Sequence, residues 1–324
     1  MRRPGGRIPP LRIGILGAAR VAVYAMIAPA QASGSAVVTA VAARDPLRAR
    51  EYAALHGIPR VLPDYASLAA DPDIDLVYVA TPPACHLDHA RLAIANGKPV
   101  LVEKPFAMAA GEAALLLGEA AAAGVPIFEA MHSRHHGLWA LVDRLLPRLG
   151  NVFGLDAVFD TPVKTDVDEF RWDAALGGGA LMDLGIYPLA WVRAIAGEPV
   201  AVTAATMRRE RAADAAFAAT LTLPGGVTAR VAADMTAPRR ARLTITGING
   251  VLIVDNPLAP QLGHHVTYVS GTGSEVFTAP GAGSYAAQLA AVVASVRDGA
   301  SFPLPRDDPR HSMRAIDLVR AAAS

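Results

Sequence analysis

Apolar runs alternate with helical stretches over the first 130 residues of this chain. Residues 11–17, 36–43, 76–80, 100–102 and 127–130 hold few polar positions, as strands buried on both faces do. Between them the pattern predicts helices from about residue 20 to 32, then over 46–56, 84–96 and 111–123. Gly97 and Gly124 close the last two. Strands alternating with helices at this spacing imply βαβ units and a parallel sheet. The pattern changes after about residue 150. Residues 152–160, 201–207, 215–223, 228–234 and 241–246 alternate or are rich in β-formers, and Gly225-Gly226 and Asn249-Gly250 read as turns. Two helices, 285–298 and 308–322, end the chain. No internal repeat is evident.

The expected fold is therefore α/β. A doubly wound parallel sheet comes first, followed by an α+β domain with a largely antiparallel, open-faced sheet. The 324 residues suit two domains. We divide them into a flexible tail (1–10), a dinucleotide-binding domain (11–130) and a substrate-binding and oligomerisation domain (131–324). The C-terminal helix is free to pack back on the first domain.

Composition narrows the function. At 52% hydrophobic and 18% charged, the chain is not disordered. Residues 21–43 carry no charge and are long enough to span a bilayer, but Pro29, Gln31, Ser33, Gly34 and Ser35 interrupt them. We read a helix, a turn and a strand there, and no membrane association. The basic start at Met1-Arg2-Arg3 runs into Ile8-Pro9-Pro10, not into an apolar signal core. A net charge of +1 without a basic block argues against nucleic acid as a partner. Cys85 is the only cysteine, which excludes an internal disulfide and fits a cytoplasmic protein. Only Lys98, Lys104 and Lys164 among 30 basic residues are lysines, so each merits attention.

The first strand ends in Gly17-Ala18-Ala19-Arg20-Val21-Ala22, a variant of G-x-G-x-x-G with Ala at the second and third glycine positions. The first Gly permits a tight turn, and helix-start amides can then face a pyrophosphate. A plain packing turn is the alternative. Arg44-Asp45 ends the second strand. An acid there would bind the ribose hydroxyls of NAD(H), whereas an Arg would pair with the 2′-phosphate of NADP(H). Arg44 comes first, so we expect NADP(H) to be preferred, with NAD(H) possible. Glu103-Lys104-Pro105 follows a buried strand at the sheet end where ligands bind. Lys104 could there donate to a substrate oxygen.

These residues, with Gly177-Gly178-Gly179-Ala180-Leu181-Met182-Asp183-Leu184-Gly185-Ile186-Tyr187, resemble the glucose–fructose oxidoreductase / inositol dehydrogenase / MocA family over nearly the whole chain. The resemblance implies a Rossmann-type cofactor domain and hydride transfer between nicotinamide and a carbonyl or alcohol carbon. The substrate would be a sugar, cyclic polyol or dihydrodiol. Many members carry His four residues after the Asp. Tyr187 instead resembles the branch with dimeric dihydrodiol dehydrogenase and sugar ketoreductases. Asp183 and Tyr187 are four apart and would share a helix face. A phenol, with a reference pKa near 10, suits a proton donor, and a Lys104 cation is expected to lower that value. We therefore take Lys104, Tyr187 and Asp183 as catalytic. Gly17, Ala18, Ala19, Arg20, Val21, Arg44, Asp45, Thr81, Pro82, His86, Glu103 and Lys104 are the cofactor candidates. Packing or capping is the other reading of His86.

Arg171, Trp172, Asp183 and Tyr187 are the substrate-binding candidates, with an interdomain salt bridge the alternative for Arg171. His132, His135 and His136 lack accompanying Glu or Cys ligands. No metal is expected, and an interdomain packing or substrate-wall role suits them better. His264-His265 is expected at a strand or loop surface. A non-catalytic nucleotide sensor of the same fold, and an enzyme that never releases its cofactor, are the competing functions. An exposed β-sheet face, together with the resemblance, leads us to expect a homodimer or homotetramer acting on a small molecule.

Overall fold

The computed structural model describes residues 9–165 and 169–323. All but Pro9 and Pro10 of the expected tail lie outside them. Six parallel strands form the first sheet: β1 (Leu11–Leu16), β2 (Ala36–Ala42), β3 (Arg60–Val61), β4 (Leu76–Val79), β5 (Val100–Glu103) and β6 (Ile127–Ala130). Their order is β3-β2-β1-β4-β5-β6. β1 is central, with Ile13 opposite Val38 on one side and Leu76 on the other. Every residue of β4, β5 and β6 is buried, which is why these strands read as unbroken apolar runs. Strand order reverses between β1 and β4, so a crevice opens at their carboxyl ends. The charge-free stretch 21–43 is a continuous helical run (Arg20–Ala22, Val23–Ile27, Ala28–Ser33), a left-handed Gly34 and β2. Residues Val23–Ile27 of that run are wound as a π-turn. Among the described residues, Ala174–Ala196 is long and apolar enough to cross a membrane, and 89% of its most apolar window lies inside the protein.

Eight strands form the second sheet: β7 (Val152–Asp160), β8 (Ala201–Glu210), β9 (Ala213–Thr222), β10 (Thr228–Asp234), β11 (Arg240–Gly247), β12 (Gly250–Asp255), β13 (His265–Ser270) and β14 (Gly273–Phe277). They lie in the order β14-β13-β12-β11-β7-β10-β9-β8, and all pairs are antiparallel except β7 with β10. Along β9 the residues alternate strictly: Ala213, Ala215, Phe217, Ala219 and Leu221 are buried and Ala218 is exposed. The sheet's buried face lies on helix Ile186–Ala196 through β7 and β10, and β9 meets the turn Leu181–Gly185 before that helix. The opposite face is open, with Ala204, Ala218 and Thr220 among its small residues. β3, β12, β13, β14 and the helices Tyr65–Ala70 and Leu138–Leu145 add to the elements the apolar pattern predicts.

Helix Asp308–Ala322 joins the two halves. Its Asp317 carboxylate accepts the Ala110 amide at 2.8 Å, and Asp308 pairs with the buried Arg193 at 2.7 Å. Near this seam Glu129 on β6 is buried. One carboxyl oxygen takes the Phe106 amide at 3.1 Å and the other has no partner among the described residues. Burial, with Asp308 adding to it, pushes its pKa up to about 8 from 4.5. An unfolded chain releases this proton near 4.5, so the folded state binds more protons between those values and stability falls as pH rises through them. Glu129→Gln keeps the acceptor for Phe106 and cannot ionise. Its melting temperature should exceed wild type by several degrees at pH 8 and by little at pH 4.5, measured by thermal denaturation across pH.

Candidate active site

The turn after β1 starts the site. Gly17 has φ +105°, and a Cβ there would lie 2.9 Å from the Ala80 carbonyl oxygen, so only glycine fits. The carbonyls of Ala18 and Ala19 are held from behind by Arg48 Nη2 at 3.2 Å and the Tyr52 hydroxyl at 3.0 Å. A trans peptide points its N–H opposite its carbonyl, so the amides of Ala19 and Arg20 face away from helix Pro46–His56. No side chain caps the helical run that starts at Arg20 and Val21. This is a fitting seat for a pyrophosphate. Asp45 caps helix Pro46–His56, accepting the Leu47 amide at 2.9 Å, while Arg44 is exposed beside it. The acid is thus engaged in the helix, and the cation is the exposed side chain beside it at the end of β2.

At the ends of β4 and β5 the residues divide by role. Thr81 Oγ1 lies 2.9 Å from His89 Nδ1, and Pro82 leads into the turn Pro83–Cys85. His86 is fully enclosed. Its two ring nitrogens face the carbonyls of Pro105 at 2.9 Å and Thr81 at 2.8 Å. Burial lowers its pKa to about 4, so the neutral ring donates to one of the two carbonyls and packs between the two strand-end loops. Glu103 is buried and accepts from the Tyr78 hydroxyl and the Lys104 amide, so it backs Lys104. Burial raises its pKa, and these contacts oppose the rise.

Lys104 crosses to the second domain. Its Nζ donates to Asp183 Oδ1 at 2.7 Å and to the Asp183 carbonyl at 2.9 Å, and lies 5.0 Å from the centre of the Tyr187 ring. Two of its three protons are committed, which leaves one without a partner among the described residues. Asp183 lies in a π-turn, Leu181–Gly185, which continues into helix Ile186–Ala196. Pro188 has no amide proton, so this turn lacks one backbone donor. The preceding Gly179 has φ +110°, and a Cβ there would collide with the Asp214 carboxylate, which accepts the Leu181 amide at 2.7 Å. Arg171 Nε pairs with Asp183 Oδ2 at 2.9 Å. Burial pushes Asp183 up, but Lys104 and Arg171 outweigh it and hold the carboxyl below its ordinary range.

Tyr187 is 6% exposed. Burial first, then the Glu103 and Asp183 carboxylates, drives its pKa well above the ordinary phenol value, with Arg171 opposing. The lowering expected from Lys104 is overturned because burial and two anions dominate. Trp172 is also placed differently from expectation. It is buried, its indole N–H donates to the Lys164 carbonyl at 2.8 Å, and its ring faces Arg211. It anchors the loop from outside the Lys104–Asp183–Tyr187 cluster.

Tertiary contact adds residues that carried no motif. Glu169, nearly buried, pairs with Arg20 of the phosphate turn and with Arg171, tying the two domains together. Arg48 signalled only by lying four residues after Arg44. His132 reaches Tyr187. Among the described residues no group of three or more His, Cys, Asp or Glu could hold a metal ion. His264 is half-buried between the Pro260 carbonyl and the Ala279 amide, and His265 is exposed at the start of β13.

A doubly wound dinucleotide domain, with a Lys–Asp–Tyr cluster closed over its strand ends by a second domain, defines an NAD(P)-binding oxidoreductase. Residues 11–131 match an oxidoreductase family with an NAD-binding Rossmann fold, and residues 147–253 match the GFO/IDH/MocA C-terminal domain. The chain belongs to the GFO/IDH/MocA oxidoreductase family. It is 35% identical to the dTDP-3,4-didehydro-2,6-dideoxy-alpha-D-glucose 3-reductase of Streptomyces antibioticus, over 79% of each chain. It is 31% identical to D-xylose 1-dehydrogenase (NADP(+)) 2 of Haloferax volcanii, over 97% of each. The crystal structure of KijD10, a 3-ketoreductase from Actinomadura kijaniata in complex with NADP and TDP-benzene, superposes with a TM-score of 0.90. That match is at 26% identity and covers 97% of this chain and 98% of that one.

Asp183→Asn would leave Lys104 and Arg171 facing each other without their shared anion. Breaking such a buried pair costs about 3–5 kcal/mol, read as a lowered melting temperature at pH 7. Asp183 ionises more readily folded than unfolded, so its contribution is full above about pH 4 and lost as pH falls through the lowered folded value. The difference between variant and wild type should shrink over that acid range.

Proposed function

We propose that the protein is an NADP(H)-preferring reductase of a ketone on a sugar-like or cyclic polyol substrate, with Tyr187 as proton donor and Lys104 orienting the oxygen. The same groups would oxidise the corresponding alcohol or dihydrodiol in reverse. The observation that carries this is Lys104 Nζ, fixed by both oxygen types of Asp183 and lying against the Tyr187 ring at the end of β5. When bound, the nicotinamide supplies the hydride. Lys104 turns its remaining N–H to the carbonyl oxygen, where negative charge develops. Tyr187, neutral at physiological pH, gives that oxygen its proton and is reprotonated from solvent. Asp183 holds Lys104, and Arg171 holds Asp183. Arg44 is exposed at the end of β2, where the ribose end of the cofactor and its 2′-phosphate would lie. The 3-reductase and xylose dehydrogenase relatives support a sugar-like substrate, and the NADP in the KijD10 complex supports the cofactor.

The open face of the second sheet favours a second copy of this chain as its cover, giving a homo-oligomer. Light scattering that finds only monomer at micromolar concentration would count against it. The free, half-buried Cys85 and the interior position of Ala174–Ala196 agree with a cytoplasmic protein.

Purified protein with NADPH and a panel of ketosugars should show substrate-dependent loss of NADPH absorbance. Tight NADPH binding without turnover on any substrate would instead favour a sensor. Tyr187→Phe and Lys104→Met should each lower kcat by about 10²–10⁴-fold, and a Tyr187→Phe enzyme with full turnover would overturn the proton-donor role. Arg44→Ala should raise the KM for NADPH on the order of tenfold, the loss of one charged hydrogen bond, and leave the KM for NADH unchanged.

A further inference from the structure

We infer that His132 is a positioning residue for the Tyr187 hydroxyl, held by Ser284 and Gln261 in the tautomer that protonates Nδ1 and offers Nε2 to the phenol. The inference rests on Tyr187 being the proton donor.

The hydrogen-bond chain fixes each hydrogen in turn. Gln261 Oε1 takes the Ser284 backbone amide at 3.3 Å, and a backbone amide only donates, so that Gln atom is the oxygen. The Ser284 hydroxyl lies 3.1 Å from the same oxygen and must donate to it. Ser284 Oγ then has only lone pairs for His132 Nδ1 at 2.9 Å, so Nδ1 carries the hydrogen. A neutral ring with Nδ1–H has a bare Nε2, and Nε2 faces the Tyr187 hydroxyl at 3.5 Å. The ring plane is fixed by stacking on Tyr285, with centroids 3.8 Å apart and 20° between planes. His132 and Ser284 are both buried. Burial, with Lys104 and His135 adding to it, lowers the His132 pKa to about 3, so the ring is neutral at physiological pH.

An acceptor beside Tyr187 stabilises the phenol over the phenolate, and a donor there would do the reverse. At 3.5 Å the contact is weak enough for the O–H to swing to a substrate oxygen. Glu103, Lys104, Asp183, Arg171, Tyr24 and Tyr285 are the other charged or titratable groups acting on the phenol. Lys104 and His135 act on the imidazole.

The test begins without substrate. Nitrogen-15 NMR of histidine-labelled protein should show one neutral His132 with Nδ1–H, and Ser284→Ala should shift it toward Nε2–H. An Nε2–H tautomer in the wild type would overturn the inference. For turnover, His132→Phe keeps the stacking and removes the acceptor. Its kcat should fall about tenfold, short of the ~10²–10⁴ lost with the acid itself, with the KM values little changed. His132→Gln and Ser284→Ala, which allow a donor to face the phenol, should both move the alkaline limb of kcat to lower pH. Unmoved pH profiles in both would defeat the positioning role. In a Tyr187→Phe background, His132→Phe should have no further effect. Full turnover by Tyr187→Phe alone would defeat the proton-donor reading instead. If His132→Phe fails to fold, the Ser284→Ala profile and the tautomer still decide.

Discussion

The contact between Lys104 and Asp183 is the constraint around which the site is built. The lysine ends a strand of one domain and the aspartate starts a helix of the other, and their side chains are only 13% and 12% exposed. A buried ion pair is unfavourable unless its remaining valences are filled. Here opposite charges or hydrogen bonds meet all but one Lys104 proton. Asp183 has Arg171 on its second oxygen, and Lys104 has the Asp183 carbonyl. The alternation continues outward, since Arg171 and Arg20 share Glu169. Positive and negative groups thus alternate from the sheet end to the phosphate turn, each between opposite charges. Domain placement and active-site geometry become one requirement.

What could be read in the sequence follows from how local each feature is. β1, β4, β5 and β6 are buried on both faces, so their apolar runs stand out to within a residue or two. β3 has two residues and no period to detect. Helix Leu138–Leu145 is hidden beside a run of histidines and ends in Leu146-Pro147. In the site, Lys104, Asp183 and Tyr187 sit in motifs, and the structure brings all three together. His132 reaches Tyr187 from 55 residues away in sequence, and Glu169 joins Arg171 to Arg20 across 149, through tertiary contact alone. The misjudged ionisation of Tyr187 has the same origin. Lys104 was visible as a neighbour, whereas the depth of burial and the position of Glu103 depend on the folded sheet.

The balance of charge explains why geometry, more than net field, must do the work. Two acids, Glu103 and Asp183, surround the phenol with two bases, Lys104 and Arg171. The four nearly cancel, so no broad positive potential exists to hold a developing alkoxide. Stabilisation must come from a specific donor at short range, where the surrounding low dielectric makes one hydrogen bond count. On the proposed function, Lys104 has one proton left for that purpose because Asp183 takes the other two. The same cancellation leaves desolvation as the dominant influence on Tyr187, which keeps its proton until a stronger base arrives. An alkoxide forming beside it is such a base, whereas a resting alcohol is not. On the proposed function, the site is therefore better suited to protonating the product of a reduction than to initiating an oxidation.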